Sequence, residues 1–365
     1  MLREFQDRDR VQRLAAQIAT LAAQVEPVKI MHVCGSHEHT LSQWGLRSLL
    51  PESVELIAGP GCPVCICPAH EIGEAIELAR RGVILATYGD MFRVPTRFGS
   101  LAEAKAAGGE VRVIYSALDA LKLARENPTE EVVFFAIGFE TTAAPTAALL
   151  TLPDLPPNLS LLVAHRLTPP AMVALLESGE IQVDAFIAPG HVSTITGAQA
   201  WGIFPRKYHR PTIVAGFEPV DVLLAVRAIL EQLRRREAKL ENEYRRAVPE
   251  RANPRARTAM RQVFEVVSAW WRGIGLLPDS GLALRPALKH WDARERFGVH
   301  GEPEEEELPQ ACACNRVMLG QITPPECALY GTRCTPAFPY GPCMVSQEGT
   351  CYIWYRYGGH LANHA

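Results

Sequence analysis

The stretch EVVFFAIGFETTAAP at residues 131–145 decides the fold class. It is an unbroken apolar run that ends at Gly138 and is followed by polar residues that open a helix. A short, wholly apolar run of this kind is typical of a strand that is buried on both faces. Such strands belong to parallel sheets that helices cover on both sides, so this stretch predicts an α/β fold.

The same pattern repeats through much of the chain. Each further run is short, rich in β-forming residues and followed by a helical stretch. These runs are VKIMHV (28–33), VELIAG (54–59), VILATY (83–88), VRVIYS (111–116), LSLLVAH (159–165), DAFIAPG (184–190) and PTIVAG (211–216). The Pro- and Asn-containing break at 126–130 divides the runs four and four. The sequence therefore predicts two similar α/β domains, at 28–125 and 126–232.

The rest of the chain has a different character. Apolar residues recur with a helical period over 5–25, and a long helix is predicted over 219–247, followed by a helical stretch to about residue 275. The acidic segment GEPEEEELP at 301–309 reads as a solvated linker. The last fifty residues are rich in Cys, Gly and Pro and have no clear period, so we expect them to fold around a metal centre.

Composition excludes several classes of protein. The 365 residues are 48% hydrophobic and 21% charged, and the net charge is −3 with both signs mixed along the chain. A nucleic-acid-binding protein needs a concentrated basic face, so nucleic acid is not the expected partner. The first residues lack the apolar core of a signal peptide, and no run is long enough to span a bilayer. We expect a soluble, cytoplasmic protein with no membrane partner.

Ten cysteines are unusual in a cytoplasmic chain, where structural disulfides are rare. Four of them lie between Cys34 and Cys67, six lie between Cys312 and Cys351, and none lies in between. Two separate chemical sites explain this distribution better than scattered buried thiols do.

Cys34 lies in the motif CGSHEH, directly after a predicted strand. In open α/β sheets, ligands bind beyond the carboxyl ends of the strands. Gly35 would let a ligand approach the backbone, and His37, Glu38 and His39 could orient a metal bound to the thiol. A small buried cysteine remains the alternative.

Cys62 and Cys65 form a CPVC motif in a Gly-Pro-rich loop before a helix that is predicted at 69–80. Thiols at this spacing can cycle between dithiol and disulfide, and a helix amino terminus stabilises a thiolate. A zinc knuckle is the competing interpretation, but it needs a second pair of ligands, and only Cys67 is near. Cys67 is either incidental or an alternative disulfide partner.

The tail carries four widely spaced thiols, Cys327, Cys334, Cys343 and Cys351. Four thiolates in a Pro/Gly-rich loop suit either a [4Fe-4S] cluster or a zinc ion, and the wide spacing modestly favours the cluster. The upstream pair, Cys312 and Cys314, reads more readily as structural than as ligands or a redox pair.

Two further motifs follow strands. Glu140, Thr141 and Thr142 open a helix in GFETT, where the threonines could be capping residues or the turn could hold an anion. His191 in PGHVS is either a satisfied loop histidine or a residue of the cleft.

In series, the motifs CGSHEH, GPGCPVC, GFETT and PGHVS and the tail PPEC…GPCMVSQEGTC resemble the HypD family of hydrogenase formation proteins. The resemblance runs from about residue 28 to residue 358. It implies two Rossmann-like α/β domains plus a third domain, 1–27 with 233–365, built of helices and irregular Cys-rich loops. That domain would bind the [4Fe-4S] cluster.

The resemblance also implies the role of each site residue. The cluster ligands would be Cys327, Cys334, Cys343 and Cys351, the redox pair Cys62 and Cys65, and the iron-holding thiol Cys34. The remaining motif positions near the cleft are His37, Glu38, Glu140, Thr141, Thr142 and His191. Cys67 departs from the family pattern, in which that position is usually not cysteine, and this leaves the operative thiol pair open.

The implied function is the assembly of the Fe(CN)2CO moiety of nickel–iron hydrogenases. Iron would be held between Cys34 and the amino-terminal cysteine of a small HypC-type chaperone. Cyanide would arrive from HypE, and electrons would pass from the cluster through the dithiol. Two other classes remain open, namely a thiol–disulfide oxidoreductase acting on proteins and a zinc-stapled interaction scaffold. Metal content and the effect of losing Cys34 would separate them.

Overall fold

The computed structural model describes residues 2–303 and 308–358, so part of the acidic segment at 301–309 lies outside the described residues. The strands are β1 (Val28–His32), β2 (Val54–Ala58), β3 (Ile84–Tyr88), β4 (Val111–Ile114), β5 (Val132–Gly138), β6 (Leu159–His165), β7 (Ala185–Pro189), β8 (Thr212–Ala215), β9 (Leu240–Asn242), β10 (Phe264–Trp271) and β11 (Gly275–Leu284).

The α-helices cover the faces and ends of the sheets. They are α1 (Arg8–Ala22), α2 (Gly35–Gln43), α3 (Ala69–Arg80), α4 (Leu101–Ala106), α5 (Ala117–Glu126), α6 (Glu140–Leu150), α7 (Thr168–Glu177), α8 (Gly190–Thr196), α9 (Ile203–Tyr208), α10 (Pro219–Arg234), α11 (Pro254–Val263), α12 (Ala293–Phe297), α13 (Cys314–Met318) and α14 (Thr350–Tyr357). None of the helices in the described ranges is long and apolar enough to cross a bilayer.

The predicted α/β class is confirmed, and each predicted apolar run contains a strand. Two parallel sheets form, which we call sheet A (order β2-β1-β7-β8-β9) and sheet B (order β4-β3-β5-β6). Every residue of β5 is buried, as an apolar run between two helical layers requires.

The sheets do not follow the predicted split at 126–130. The chain builds β1 and β2 of sheet A, then all of sheet B, and returns to sheet A at β7. Strand pairing places β1 directly beside β7, with Ile30 opposite Ala185. Apolar runs reveal strands but not partners, because pairing depends on contacts between distant segments.

The amino-terminal helix packs on sheet A rather than on the tail. Ile18 of α1 shares a core with Ile30 of β1, Ile187 of β7 and Leu223 of α10. A second core lies between the two sheets and the tail, and it includes Phe135, Phe186 and Cys343. The tail thus lies against the two sheets.

The predicted helices after residue 219 are too long. The helix α10 ends at Arg234, and Arg236 adopts a left-handed conformation with φ 55°, which stops the helix. Leu240–Asn242 then adds an edge strand to sheet A, and the Trp-containing stretch forms the antiparallel hairpin β10–β11. These strands were not predicted, because charged residues and small side chains interrupt their apolar positions.

Candidate functional site

Cys34 lies at the tip of sheet A, where β1 gives way to α2. It has extended backbone angles and precedes the first helical residue, Gly35. Its side chain is buried, and burial, followed by the nearby carboxylate of Glu348, raises the pKa of Cys34 to about 12. The backbone N–H groups of Ser36 and His37 act in the opposite direction without overcoming burial. Near neutral pH this cysteine is therefore a protonated thiol.

The CPVC loop lies against Cys34. Cys62 and Cys65 are joined by a disulfide bond, and both are buried. A side chain at Gly61 would collide with the backbone of Cys34, so only glycine permits this approach. The structure thus brings the strand tip and the loop that carries the disulfide into contact, and Cys34 and Cys62 line one cavity. Cys67 is not part of this disulfide, and its sulfur is 3.8 Å from Glu71 Oε2.

The tail segment at 341–349 completes the site. A side chain at Gly35 would collide with the backbone and Cβ of Glu348, so this segment packs directly on the start of α2. It is also tied to sheet B, because Ser346 Oγ donates a 2.9 Å hydrogen bond to Asp90. The carbonyl oxygen of Pro342 lies 4.0 Å from Cys65 Sγ. One loop of the tail therefore contacts both sheets and the disulfide.

Two cavities flank Cys34. A small enclosed one, of about 10 Å³, is lined by Cys34, Cys62, Cys343 and Glu348, and it has room for roughly one water molecule. A groove of about 510 Å³ opens to the surface on the side of Gly35, and Glu348 lines it as well. Cys62 of the disulfide and the tail cysteine Cys343 thus share a cavity with Cys34, and the groove reaches the next residues along the chain, Gly35 and Ser36.

The tail thiols lie close together. The thiol of Cys343 is hydrogen-bonded to those of Cys314 and Cys351, and these bonds hold the pKa of Cys343 well below its ordinary value. Cys312 Sγ lies 3.2 Å from Cys314 Sγ. Cys334 is nearby, since its electrostatic neighbours include Cys314 and Cys312. The upstream CAC pair, read from sequence as structural, therefore belongs to the thiol group.

Backbone groups already donate to these sulfurs. The N–H of Tyr340 donates to Cys334 Sγ at 3.3 Å, and that of Cys351 donates to Cys343 Sγ at 3.2 Å. Cys327 is also buried, but no thiol contact of Cys327 is found among the residues described. Among all the residues that the structure describes, no three His, Cys, Asp or Glu side chains form a group that could hold a single metal ion.

The chemistry of this donor set fits an iron–sulfur cluster. Soft sulfur ligands dominate, and they are buried in a short irregular segment with N–H donors directed at them.

His37 and His191 lie on either side of Phe217. The rings of His191 and Phe217 stack at 3.9 Å, and His37 lies 4.8 Å from the same phenyl ring. His37 Nε2 is 2.9 Å from the carbonyl oxygen of Gly216, and burial lowers the pKa of His37 to about 3, so the neutral ring donates to that carbonyl. His191 lines the open groove, and its role in the site stays a prediction.

Glu38 is buried, and one of its hydrogen-bond partners, His32, lines the cavity beside Cys34. Its carboxylate accepts two hydrogen bonds from Arg47, one from His32 and one from Ser42. Its fourth partner is Trp354, whose Nε1–H donates a hydrogen bond of 2.8 Å. Although burial opposes ionisation, the Arg47 guanidinium and His32 hold the pKa of Glu38 well below its usual range. Glu38 thus joins α2 to α14, the helix that carries Cys351.

The GFETT motif lies at the tip of sheet B. Glu140 is buried and accepts hydrogen bonds from the backbone and hydroxyl of Thr168, and burial raises its pKa to about 7. Thr142 Oγ1 donates to the carbonyl of Ile137 at 2.9 Å, and Thr141 is half-buried. Neither threonine caps the helix, because the N-cap residue of α6 is Phe139 and it makes no side-chain cap hydrogen bond. None of the three lines the Cys34 cavity, although α6 packs against α8 of sheet A.

Sequence reasoning missed Glu348 and Asp90. Glu348 lines both cavities, and burial, followed by Asp90, raises its pKa to about 7. Glu348 could have been found as the one carboxylate between Cys343 and Cys351. Asp90 could have been found from its position two residues after the end of β3.

The fold and site together define a class: a two-sheet α/β protein that gathers a strand-tip thiol, a disulfide and a tail of closely grouped thiols at one edge. A family model described as HypD, hydrogenase formation hypA family, matches residues 9–358. The chain therefore belongs to the HypD family of hydrogenase maturation factors.

Individual relatives agree over nearly their whole length. The chain is 45% identical to a putative hydrogenase expression/formation protein of Methanocaldococcus jannaschii, over 96% of this chain and 98% of the relative. It is 45% identical to the hydrogenase maturation factor HypD of Azotobacter vinelandii (97% and 96%) and 42% identical to that of Cupriavidus necator (98% and 97%).

Proposed function

We propose that this maturation factor is the scaffold and redox protein on which the Fe(CN)2CO moiety of nickel–iron hydrogenases is assembled. The observation that carries the proposal is the shared cavity of Cys34, Cys62 and Cys343. A buried thiol, one cysteine of the disulfide and one tail thiol line one small volume, and this arrangement suits an iron scaffold with its own redox supply.

Cys34 is the proposed ligand of the iron fragment. Iron that carries cyanide and carbon monoxide needs a soft anionic ligand, so its binding would displace the proton that the Cys34 thiol otherwise holds. The enclosed cavity is too small for the fragment, whereas the groove on the Gly35 side has room for a partner's terminal segment. We propose that a HypC-type chaperone approaches through this groove and that its cysteine holds the iron from the other side.

Cyanide is proposed to come from a HypE-type partner, which would reach the iron through the same groove.

The free thiols of the chain are stable in a reducing compartment, which supports a cytoplasmic location.

The tail is proposed to hold a [4Fe-4S] cluster through Cys327, Cys334, Cys343 and Cys351, on the family pattern. Such a cluster, when bound, supplies single electrons. The contacts of Cys314 with Cys343 and Cys351 make it the further thiol to test as a ligand. The carbonyl oxygen of Pro342 lies 4.0 Å from Cys65 Sγ, and this proximity favours electron transfer from the tail to the disulfide. The disulfide takes up two electrons and two protons to become two thiols.

Burial disfavours the competing function of a general disulfide reductase. Cys62 and Cys65 are 5% and 0% exposed, so the disulfide cannot meet a protein substrate without rearrangement. A relay to an internal iron site requires no such exposure.

Metal and sulfide analysis tests this proposal. Anaerobically purified protein should contain about four iron and four sulfide per chain. Cys343→Ser should lose both, whereas Cys67→Ser, a buried thiol outside the tail group, should keep them. Stoichiometric zinc without sulfide would contradict the proposal. In the cluster-loaded protein, reductant should add two alkylatable thiols at the peptide that contains Cys62 and Cys65.

A further inference from the structure

Several exposed aromatic side chains belong to the tail that carries the grouped thiols. Phe338 is 77% exposed, Tyr355 45% and Tyr340 38%, and all three fall within the last thirty residues of the described chain. The half-buried ring of Tyr330 lies 6.3 Å from that of Tyr355. Arg333 sits over the Tyr340 ring at 5.9 Å. We call these five residues the tail face.

The tail face is directly connected to the thiols. The backbone N–H of Tyr340 donates to Cys334 Sγ, and Tyr330 pairs with Cys334 across an isolated β-bridge. Tyr330 also lies near Cys351 and Cys343, which are among the groups that, after burial, raise its pKa. The tail face therefore lies directly against the thiol group.

Its composition is that of an interface. The centres of protein–protein interfaces are enriched in Tyr, Phe and Arg and depleted in Lys, Asp and Glu. Between Cys327 and Tyr357 the only carboxylate is Glu348, which faces Cys34, and the exposed charges are Arg333 and Arg356. An aromatic surface with a positive rim matches a partner with an acidic face.

We propose that the tail face is the docking site of a small acidic protein that carries single electrons. This inference rests on the proposed function, because it names the class of donor for the tail site. The occupant follows from two observations, the positive rim and the short path from this surface to the tail sulfurs. Each carrier gives up one electron and leaves oxidised. Two such transfers, with two protons from solvent, convert the Cys62–Cys65 disulfide into two thiols.

Binding of an acidic [2Fe-2S] ferredoxin, used as the probe in its oxidised form, tests the site without any turnover. The variant is Phe338→Ala with Arg333→Glu. Its matched control is Tyr115→Ala with Arg125→Glu, which removes an aromatic ring that is 92% exposed and makes the same charge change on the far edge of sheet B. Both pairs are exposed, so both variants should fold, as thermal unfolding would check.

At low ionic strength the dissociation constant should rise about tenfold or more in the tail-face variant and stay unchanged in the control. Added salt should weaken wild-type binding, because exposed charges are screened. Stopped-flow oxidation of the reduced ferredoxin by cluster-loaded protein should slow in the same order.

Equal affinities of wild type and tail-face variant, or equal losses in both variants, would overturn the inference. So would self-association of the chain that disappears in the tail-face variant, since that assigns the surface to a second copy. Iron and sulfide content, measured on the same wild-type sample, reports separately on the proposed cluster.

Discussion

Two buried glutamates follow strand tips in this molecule, and they are in opposite states. Glu38, after β1 of sheet A, has a lowered pKa and is paired with Arg47, whereas Glu140, after β5 of sheet B, has a raised pKa and accepts hydrogen bonds from Thr168. Sequence alone placed both among the residues of the cleft. The contrast shows that a glutamate after a strand tip carries different chemistry in the two sheets: Glu38 joins α2 to α14 of the tail, and Glu140 is held by Thr168 at the start of α7.

Replacing Glu38 by Gln removes the Glu38–Arg47 ion pair, the ionic member of this comparison. Glu38→Gln leaves Arg47 without its charged partner in a site where the Arg47 side chain is 9% exposed. Loss of one partner of a buried ion pair should lower the free energy of unfolding by about 3–5 kcal/mol. Urea unfolding of the apoprotein measures this effect. A loss below about 1 kcal/mol, the level of an exposed ion pair, would show that the network is not a structural link.

The pH dependence of that loss has a defined sign. The folded pKa of Glu38 lies below its ordinary 4.5, so the stabilisation is complete above that value and disappears as the pH falls below it. Wild type and Glu38→Gln should therefore converge in acid.

Glu140 should show the opposite trend and a smaller effect. Its folded pKa of about 7 exceeds the ordinary 4.5, so the folded state holds a proton that the unfolded state loses. Wild type should therefore lose stability as the pH rises between these values, by about 3 kcal/mol in total. Glu140→Gln has no such titration, so its advantage over wild type should grow between about pH 5 and pH 8 in urea unfolding experiments. A constant difference would mean that Glu140 is ionised in the fold.

The sequence predicted the elements of the fold better than their arrangement. Apolar runs located β1 to β8, and periodicity located α1, because burial on two faces and on one face leaves different local patterns. The pairing of β1 with β7 had no local signal, since it joins segments that are far apart in the chain. The hairpin β10–β11 was missed because only eight of its eighteen residues are buried, and its side chains are mixed in character.

The site was predicted in part for a similar reason. Motif position found Cys34, Cys62 and Cys65, and the structure brings them together. It did not show that Glu38 turns away to bind Arg47, nor that Glu348 from the tail fills the place beside Cys34. Both facts depend on how the tail packs, and local sequence does not encode that packing.

Infrared spectroscopy of a Cys34→Ala complex tests the central claim most directly. The side chain is small and lies at a cavity edge, so the variant should fold, keep the tail iron and still bind the HypC-type chaperone. Cys67→Ala, another buried cysteine that follows the CPVC motif, is the matched control. The account predicts that complexes from maturation-competent cells lose the bands of iron-bound cyanide and carbon monoxide in Cys34→Ala and retain them in Cys67→Ala. Bands of wild-type intensity in Cys34→Ala would contradict it and make Cys34 a structural cysteine.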